Sequence, residues 1–252
     1  MPHRTPCPPM PRQNAHALAE AASATGSPAA ASFCAVLRSQ AAEPSLRKGQ
    51  RTGLRIRVAV CELLDTTPAD KLKIQDICAR AAIAQGTVYQ YFSDRDQLLA
   101  TVLQEFAVFL QQRMQASTRA STTPADSMRL ATLGYCRLFE ANRGLMKCLL
   151  HHYDAFPQAR GIVSDWNKTW IDTIVRAVRK RQRRSGARGP SETQLRRRAY
   201  ALGGMVDQYL AGVYLYGDAH LAQAAGDIDA IADTLTFIWS RAMADDGDNT
   251  RS

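Results

Sequence analysis

The stretch Lys73 to Leu99, KIQDICARAAIAQGTVYQYFSDRDQLL, restricts the fold more than any other part of the chain. Ile74, Ile77, Cys78 and Ala81 recur at helical spacing and predict a short helix with one buried side. Ile83 falls in a connection. Val88 and Phe92 then give a second short helix a buried edge and leave Gln85, Thr87, Tyr89, Gln90 and Tyr91 on other faces. Ser93 to Asp96 reads as a capping box, with Ser93 as N-cap and Asp96 at N3, opening a longer apolar helix. Two short helices joined by a turn of about three or four residues have helix-turn-helix geometry, whose second helix can enter a DNA major groove.

The string DICARAAIAQGTVYQYFSDRDQLL resembles the TetR family of bacterial transcriptional regulators, with Gly86-Thr87, Tyr89, Phe92 and the charged segment ending in Leu98-Leu99 carrying most of the match. Three positions depart from the family pattern. Ala84 and Lys73 stand where hydroxyl N-caps are usual, and Ala82 stands where the turn usually has glycine. The first two changes remove side chains able to cap a helix or touch phosphate. The resemblance implies an all-α protein: a three-helix DNA-binding domain over 48–108, joined by a long helix to a ligand-binding and dimerisation domain over 118–245.

Charge agrees with a nucleic-acid partner. Lys and Arg total 32 against 23 Asp and Glu, for a net +9. That favours an anionic partner, and duplex DNA ahead of a membrane because no long apolar span exists. The six cysteines form no C-x-x-C pair and have no zinc-like spacing to histidine, so neither a metal nor a disulfide framework is expected, and the chain reads as cytoplasmic.

Residues 1–44 read as a disordered extension. The first part is proline-rich and Ala15 to Ala42 is dominated by Ala and Ser, too little apolar surface to offset ordering entropy. Glu20, Gly26 and Pro28 interrupt any signal-peptide core. Residues 246–252 read as a disordered tail. From Ser45 the composition turns basic: Arg47, Lys48, Arg51, Arg55 and Arg57 precede or open a helix whose apolar side is Ile56, Ala59, Val60, Leu63 and Leu64. In the family this helix lies under the other two, so Arg47 and Lys48 can run along a phosphate backbone. Within the short second helix, Gln85 and Gln90 can pair with adenine and the Thr87 methyl can meet a thymine methyl. Tyr89, Tyr91, Lys73 and Arg95 suit phosphates, which position without reading sequence.

Beyond residue 118 every periodic segment is helical. Thr123-Pro124 marks a capped start, Gly144 separates a short helix from its predecessor, and Pro157 opens a helix ending in the basic run Arg179 to Arg184. Ser191 to Gln194 is a capping box. Leu202, Val206, Tyr209 and Val213, with Leu235 and Ile238 on the next helix, recur at three- and four-residue steps that fit either an internal core or a dimer bundle. The segment around Gly203-Gly204 resembles the family's dimerising helix, which implies a homodimer with those six residues at the interface. Tyr135, Phe139, Trp166, Trp170, Met205 and Tyr209 form an aromatic set suited to a small, largely apolar effector, where the resemblance implies one.

The only cluster inviting catalysis is His151-His152 with Asp154 near Cys148. Adjacent histidines diverge on a helix and cannot act as an i, i+4 metal pair. No catalytic triad, phosphate loop or paired carboxylates stand out, so no catalytic residue, metal or cofactor is expected and an enzyme is the remote reading. The expected function is a ligand-released repressor on a palindromic operator. The alternative is control by a protein partner or by thiol oxidation, for which Cys136 and Cys148 are the candidates.

Overall fold

The computed structural model describes residues 31–119, 121–151, 157–186 and 189–244, and among these the regular elements are all helical. In chain order they are α1 (Phe33–Ala42), α2 (Lys48–Leu64), α3 (Ile74–Ala81), α4 (Gln85–Tyr89), α5 (Arg95–Ser117) and α6 (Pro124–Ala141). There follow α7 (Arg143–His151), α8 (Pro157–Ser185), α9 (Glu192–Tyr214), α10 (Ala219–Ala225) and α11 (Ile228–Ala242). A 3-10 turn, Ala69–Lys71, links α2 to α3 after Pro68.

Local chemistry accounts for most helix ends. Thr123 caps α6 by accepting from the Asp126 N–H with proline following, and Ser191 caps α9 in a reciprocal box with Gln194. At α5 the cap is Asp94, which accepts from the Gln97 N–H at 2.7 Å, and not Ser93 as the spacing suggested. Ser93 instead donates its N–H to the Gln97 side chain, so the reciprocal bond comes from the residue before the cap.

The expectation of disorder up to residue 44 fails for Phe33–Ala42, which is helical; residues 1–30, with Cys7, and the tail at 246–252 lie outside the described residues. The anchor is Phe33, wholly buried with its ring 5.7 Å from Phe106 and 5.3 Å from Phe109 on α5. Burying such a side chain is worth about 2–3 kcal/mol. Asn142, at the end of α6, completes the joint: it accepts from the Phe33 N–H at 2.8 Å and donates to Ala31 and Leu138 carbonyls. Thus α1 packs along α2 and is fastened to the other half of the molecule as well.

Two buried clusters run through the chain. The larger is continuous from α1 through α2–α7 into α8, α9 and α11, so no solvent gap divides the N-terminal helices from the rest. The smaller joins α8 (Ile171, Val175, Val178), α9 (Leu195, Ala199, Leu202) and Met243. This arrangement corrects the interface reading for Leu202, Val206 and Leu235, which are buried inside one chain, while Tyr209, Val213 and Ile238 are half-buried and pack against the same clusters. The buried positions are internal core, because α9 has apolar neighbours on both α8 and α11.

Gly144 sets a close approach between α7 and the end of α2. A methyl group there would lie 2.4 Å from the Leu64 carbonyl oxygen and 2.6 Å from the Asp65 nitrogen, so only glycine lets α7 start against the end of α2. The Gly144 N–H also donates to Asp65 at 3.3 Å.

Candidate nucleic-acid interface and ligand cavity

Helices α3 and α4 meet at a turn whose first residue, Ala82, has φ 51° and ψ 54°. That left-handed conformation is costly for a residue with a Cβ, which is why glycine is expected there. Arg55 from α2 stabilises the turn by donating to the Ala81 carbonyl at 2.5 Å. Ile77, Cys78, Ala81, Val88 and Phe92 are buried beneath, so α4 is held by one edge only. Gln85, Gly86, Tyr89 and Gln90 are exposed, and Thr87 is half-buried. Helix α4 spans Gln85–Tyr89 with Ala84 as an N-cap without a side-chain bond, and Gln90 is its C-cap.

The basic residues divide by partner. Arg47 and Lys48 are exposed at the start of α2, and Lys73 is exposed at the start of α3. Tyr91 leans over α2: a methyl at Gly53 would sit 3.6 Å from its ring and one at Gly49 3.5 Å from its hydroxyl. Tyr91 thus rests at van der Waals distance from the first turns of α2, beside the end of α4. Arg95 does not project toward this surface. Its guanidinium donates to the Asp70 and Leu72 carbonyls and pairs with Asp96, clamping α5 to the 3-10 turn. Arg51 likewise donates to the Glu43 and Leu46 carbonyls, and Arg57 pairs with buried Glu105 on α5 at 3.2 Å. A count of cations cannot separate these internal clamps from surface charge, since each finds its acceptor only in the folded chain.

The second site is a cavity of about 740 Å³ bounded by α5, α6, α8, α9 and α11, a volume ordinary for a small-molecule site. Tyr135, Trp166 and Trp170 line it, as expected, together with Met128 and Trp239. Phe139 does not; it is wholly buried behind Tyr135, with ring centroids 6.2 Å apart. Met205 and Tyr209 also lie away from the lining and pack into the core. Along α8 the lining runs from Trp166 to Arg184, so Lys180, Arg181 and Arg184 stand toward the end away from Tyr135.

Sequence reasoning missed Asp207. Its carboxylate accepts from the Tyr135 hydroxyl at 2.5 Å and faces the cavity. Burial pushes its pKa up to about 6, against the opposing pull of that hydrogen bond. Asp207 is half-buried on the lining of the cavity. The signal was present, for Asp207 interrupts the apolar stripe between Gly203 and Leu210.

No group of three or more metal-binding side chains occurs among the described residues. Among the histidines that invited catalysis, His152 and Asp154 lie outside the described residues, as does the side chain of His151. Cys136 and Cys148 are buried and their thiols are pushed up to about 12 by burial, which makes them poor redox centres. No helix among the described residues is long and apolar enough to cross a membrane.

A family model described as bacterial regulatory proteins, tetR family, matches residues 56–102, the segment from α2 through the turn into α5. That segment of the chain is similar to the DNA-binding part of the tetR family of bacterial regulatory proteins. Solved structures of the same fold include a regulatory protein in the tetR family from Rhodococcus RHA1, with TM-score 0.62 at 16% identity over 79% of this chain and 99% of that one. The fatty acid degradation regulator FadR from Bacillus halodurans gives 0.61 at 13% identity, covering 77% and 95%. FadR from Bacillus subtilis, in complex with stearoyl-CoA, gives 0.58 at 16%, covering 73% and 96%. No curated protein matches the chain.

Proposed function

We propose that this chain is a TetR-family transcriptional regulator, a homodimeric cytoplasmic repressor released from a palindromic DNA operator by a small, largely apolar molecule. The observation that carries the proposal is the course of α5. Its first turn follows the recognition segment directly, capped by Asp94, and its last turns supply Met114, Gln115 and neighbouring Thr118 to the cavity wall. A ligand that displaces those residues acts on the helix that seats α4. Gly144 gives a second route, since α7 abuts the end of α2 without intervening side chains.

On DNA, Gln85, Thr87 and Gln90 read bases while Tyr89, Tyr91, Lys73, Arg47 and Lys48 hold phosphates. The dimer face is the outer side of α9 and α11, where Tyr200 and Phe237 are 50% and 61% exposed and Gly204 permits close approach. Paired there, two protomers present their α4 helices to half-sites about one helical turn apart. The complex of Bacillus subtilis FadR with stearoyl-CoA supports a ligand with a long apolar part in this fold. To lower DNA affinity a hundredfold, the effector must favour the released state by about 2.7 kcal/mol.

The test is fluorescence anisotropy on duplexes selected from genomic fragments, titrated in salt, then repeated with apolar metabolites while tryptophan emission is followed. A sequence preference over random duplex, with compounds that both quench Trp166 or Trp170 and release DNA, is the expected result. Absence of any sequence preference at every salt concentration defeats the DNA-binding part. Release unaltered in a folded Trp166→Ala, Trp170→Ala double variant defeats the effector site.

A further inference from the structure

The cavity is polar at its two ends and apolar between them. At the inner end lie Tyr135 and Trp166, both buried, with ring centroids 6.0 Å apart, and Asp207 accepts from the Tyr135 hydroxyl. At the outer end α8 contributes Lys180, Arg181 and Arg184, all exposed. Ile174, Ala177 and Val178 of the same helix line the stretch between, with Met128 of α6. From Trp166 to Arg181 the helix rises about 22 Å. Half the hydrocarbon core of a bilayer, one acyl chain deep, is about 15 Å. The lined length therefore takes a full acyl chain end to end.

Charge decides which end group such a chain carries. Among the described residues of the lining the cations are Lys180, Arg181 and Arg184, and the acid is Asp207. Arg181 donates to the Met243 carbonyl at 3.5 Å, whereas Lys180 and Arg184 have no hydrogen-bond or ion-pair partner among the described residues. Their donors suit a carboxylate or a phosphate. Asp207 stands at the opposite end, where a second anion would be repelled, so an anionic head stays at the mouth. A lipophilic cation would have to pass three like charges to reach Asp207, whose carboxylate is already engaged by Tyr135.

We propose that the cavity binds an anionic amphiphile lengthwise. Its carboxylate or phosphate head is held by Lys180, Arg181 and Arg184, and its alkyl chain runs inward to Trp166 and Tyr135. The assignment rests on the reading of this cavity as the effector site and supplies the chemical class of the ligand. Lys180 and Arg184 select the head group, and the aromatic end sets the chain length. Neutral apolar compounds forgo the charged hydrogen bonds, and lipophilic cations meet like charge.

The test measures direct binding to the full chain without DNA. Tryptophan emission is the readout, since all three tryptophans, Trp166, Trp170 and Trp239, line the cavity. The probes are dodecanoate, dodecyl phosphate, dodecan-1-ol and dodecyltrimethylammonium, each below its micelle concentration, with octanoate for chain length. Both dodecyl anions should bind about tenfold or more tightly than the alcohol, and the ammonium more weakly still. The tighter anion identifies the head group. Octanoate should bind about a hundredfold more weakly than dodecanoate, for the methylenes it lacks. A Lys180→Ala, Arg184→Ala double variant, verified as folded by circular dichroism, should lose the advantage of the anions and bind the alcohol as wild type does. In wild type alone, added salt should weaken dodecanoate and leave dodecan-1-ol unaffected. No binding by any probe, the alcohol or the ammonium binding as tightly as dodecanoate, or anion binding unchanged in the double variant overturns the proposal. The effector site would then stand with a ligand of another class. Tight dodecanoate binding that leaves DNA affinity unaltered supports the proposal and defeats the release reading instead.

Discussion

The hydroxyl of Tyr135 on α6 donates a 2.5 Å hydrogen bond to the carboxylate of Asp207 on α9, across the wall of the cavity. The bond offsets part of the cost of burying an acid, yet the Asp207 pKa is still about 6 against an ordinary 3.8. The folded state therefore holds this proton more tightly than the unfolded chain does. Stability from the group is fully present below pH 3.8 and is lost as pH rises through about 6, a difference of about 2–3 kcal/mol. Asp207→Asn keeps an acceptor for Tyr135 and removes the titration. Urea unfolding across that window should show the variant gaining on wild type as pH rises. Parallel curves for the two proteins would refute the assignment.

Ala82 offers a stabilising change. Its left-handed backbone costs about 1 kcal/mol relative to glycine, so Ala82→Gly should raise the unfolding midpoint by a corresponding amount. The residue is exposed and nothing else need move. A lowered midpoint in thermal or denaturant unfolding would show that the strain lies elsewhere.

Gly144 offers the opposite. Gly144→Val forces a side chain onto the Leu64 carbonyl, so α7 must retreat from α2, at a cost of about 1–3 kcal/mol. With the protein still folded, an effector identified by the fluorescence screen should bind and yet release DNA less completely. Unchanged release would exclude this contact from the transmission route.

The two kinds of basic residue should separate cleanly in a salt titration. Lys73→Ala removes an exposed charge and should weaken binding to all sequences alike, lowering the salt slope by about one. Gln90→Ala should relax preference at one base pair and leave the slope alone. Arg95→Ala breaks two carbonyl contacts and an ion pair, so its principal effect should be lower stability. A lower slope for Arg95→Ala at full stability would return that residue to the DNA surface.

Phe33→Ala tests the added helix. Loss of a fully buried ring between Phe106 and Phe109 should cost about 3–5 kcal/mol and increase proteolysis before α2. Stability within about 0.5 kcal/mol of wild type would mean that α1 is dispensable to the core.

The sequence by itself determined the helix-turn-helix, because its signals are local. The spacing of Ile77, Cys78, Ala81, Val88 and Phe92 and the caps at Thr123 and Ser191 act within a few residues of chain. Periodicity could say that Val206 and Leu235 are buried, but not that the burial is within one chain, since a stripe does not name what covers it. Helix α1 was illegible for a related reason: Phe33, Val36 and Leu37 are few among alanines and serines, and only Phe106, Phe109 and Asn142 make them an anchor. Arg95 looked like a DNA contact until the fold supplied carbonyls for it, and Asp207 acquired its shifted proton only when burial removed it from water. Local propensity is written along the chain; desolvation and long-range partners exist only once distant segments are brought together.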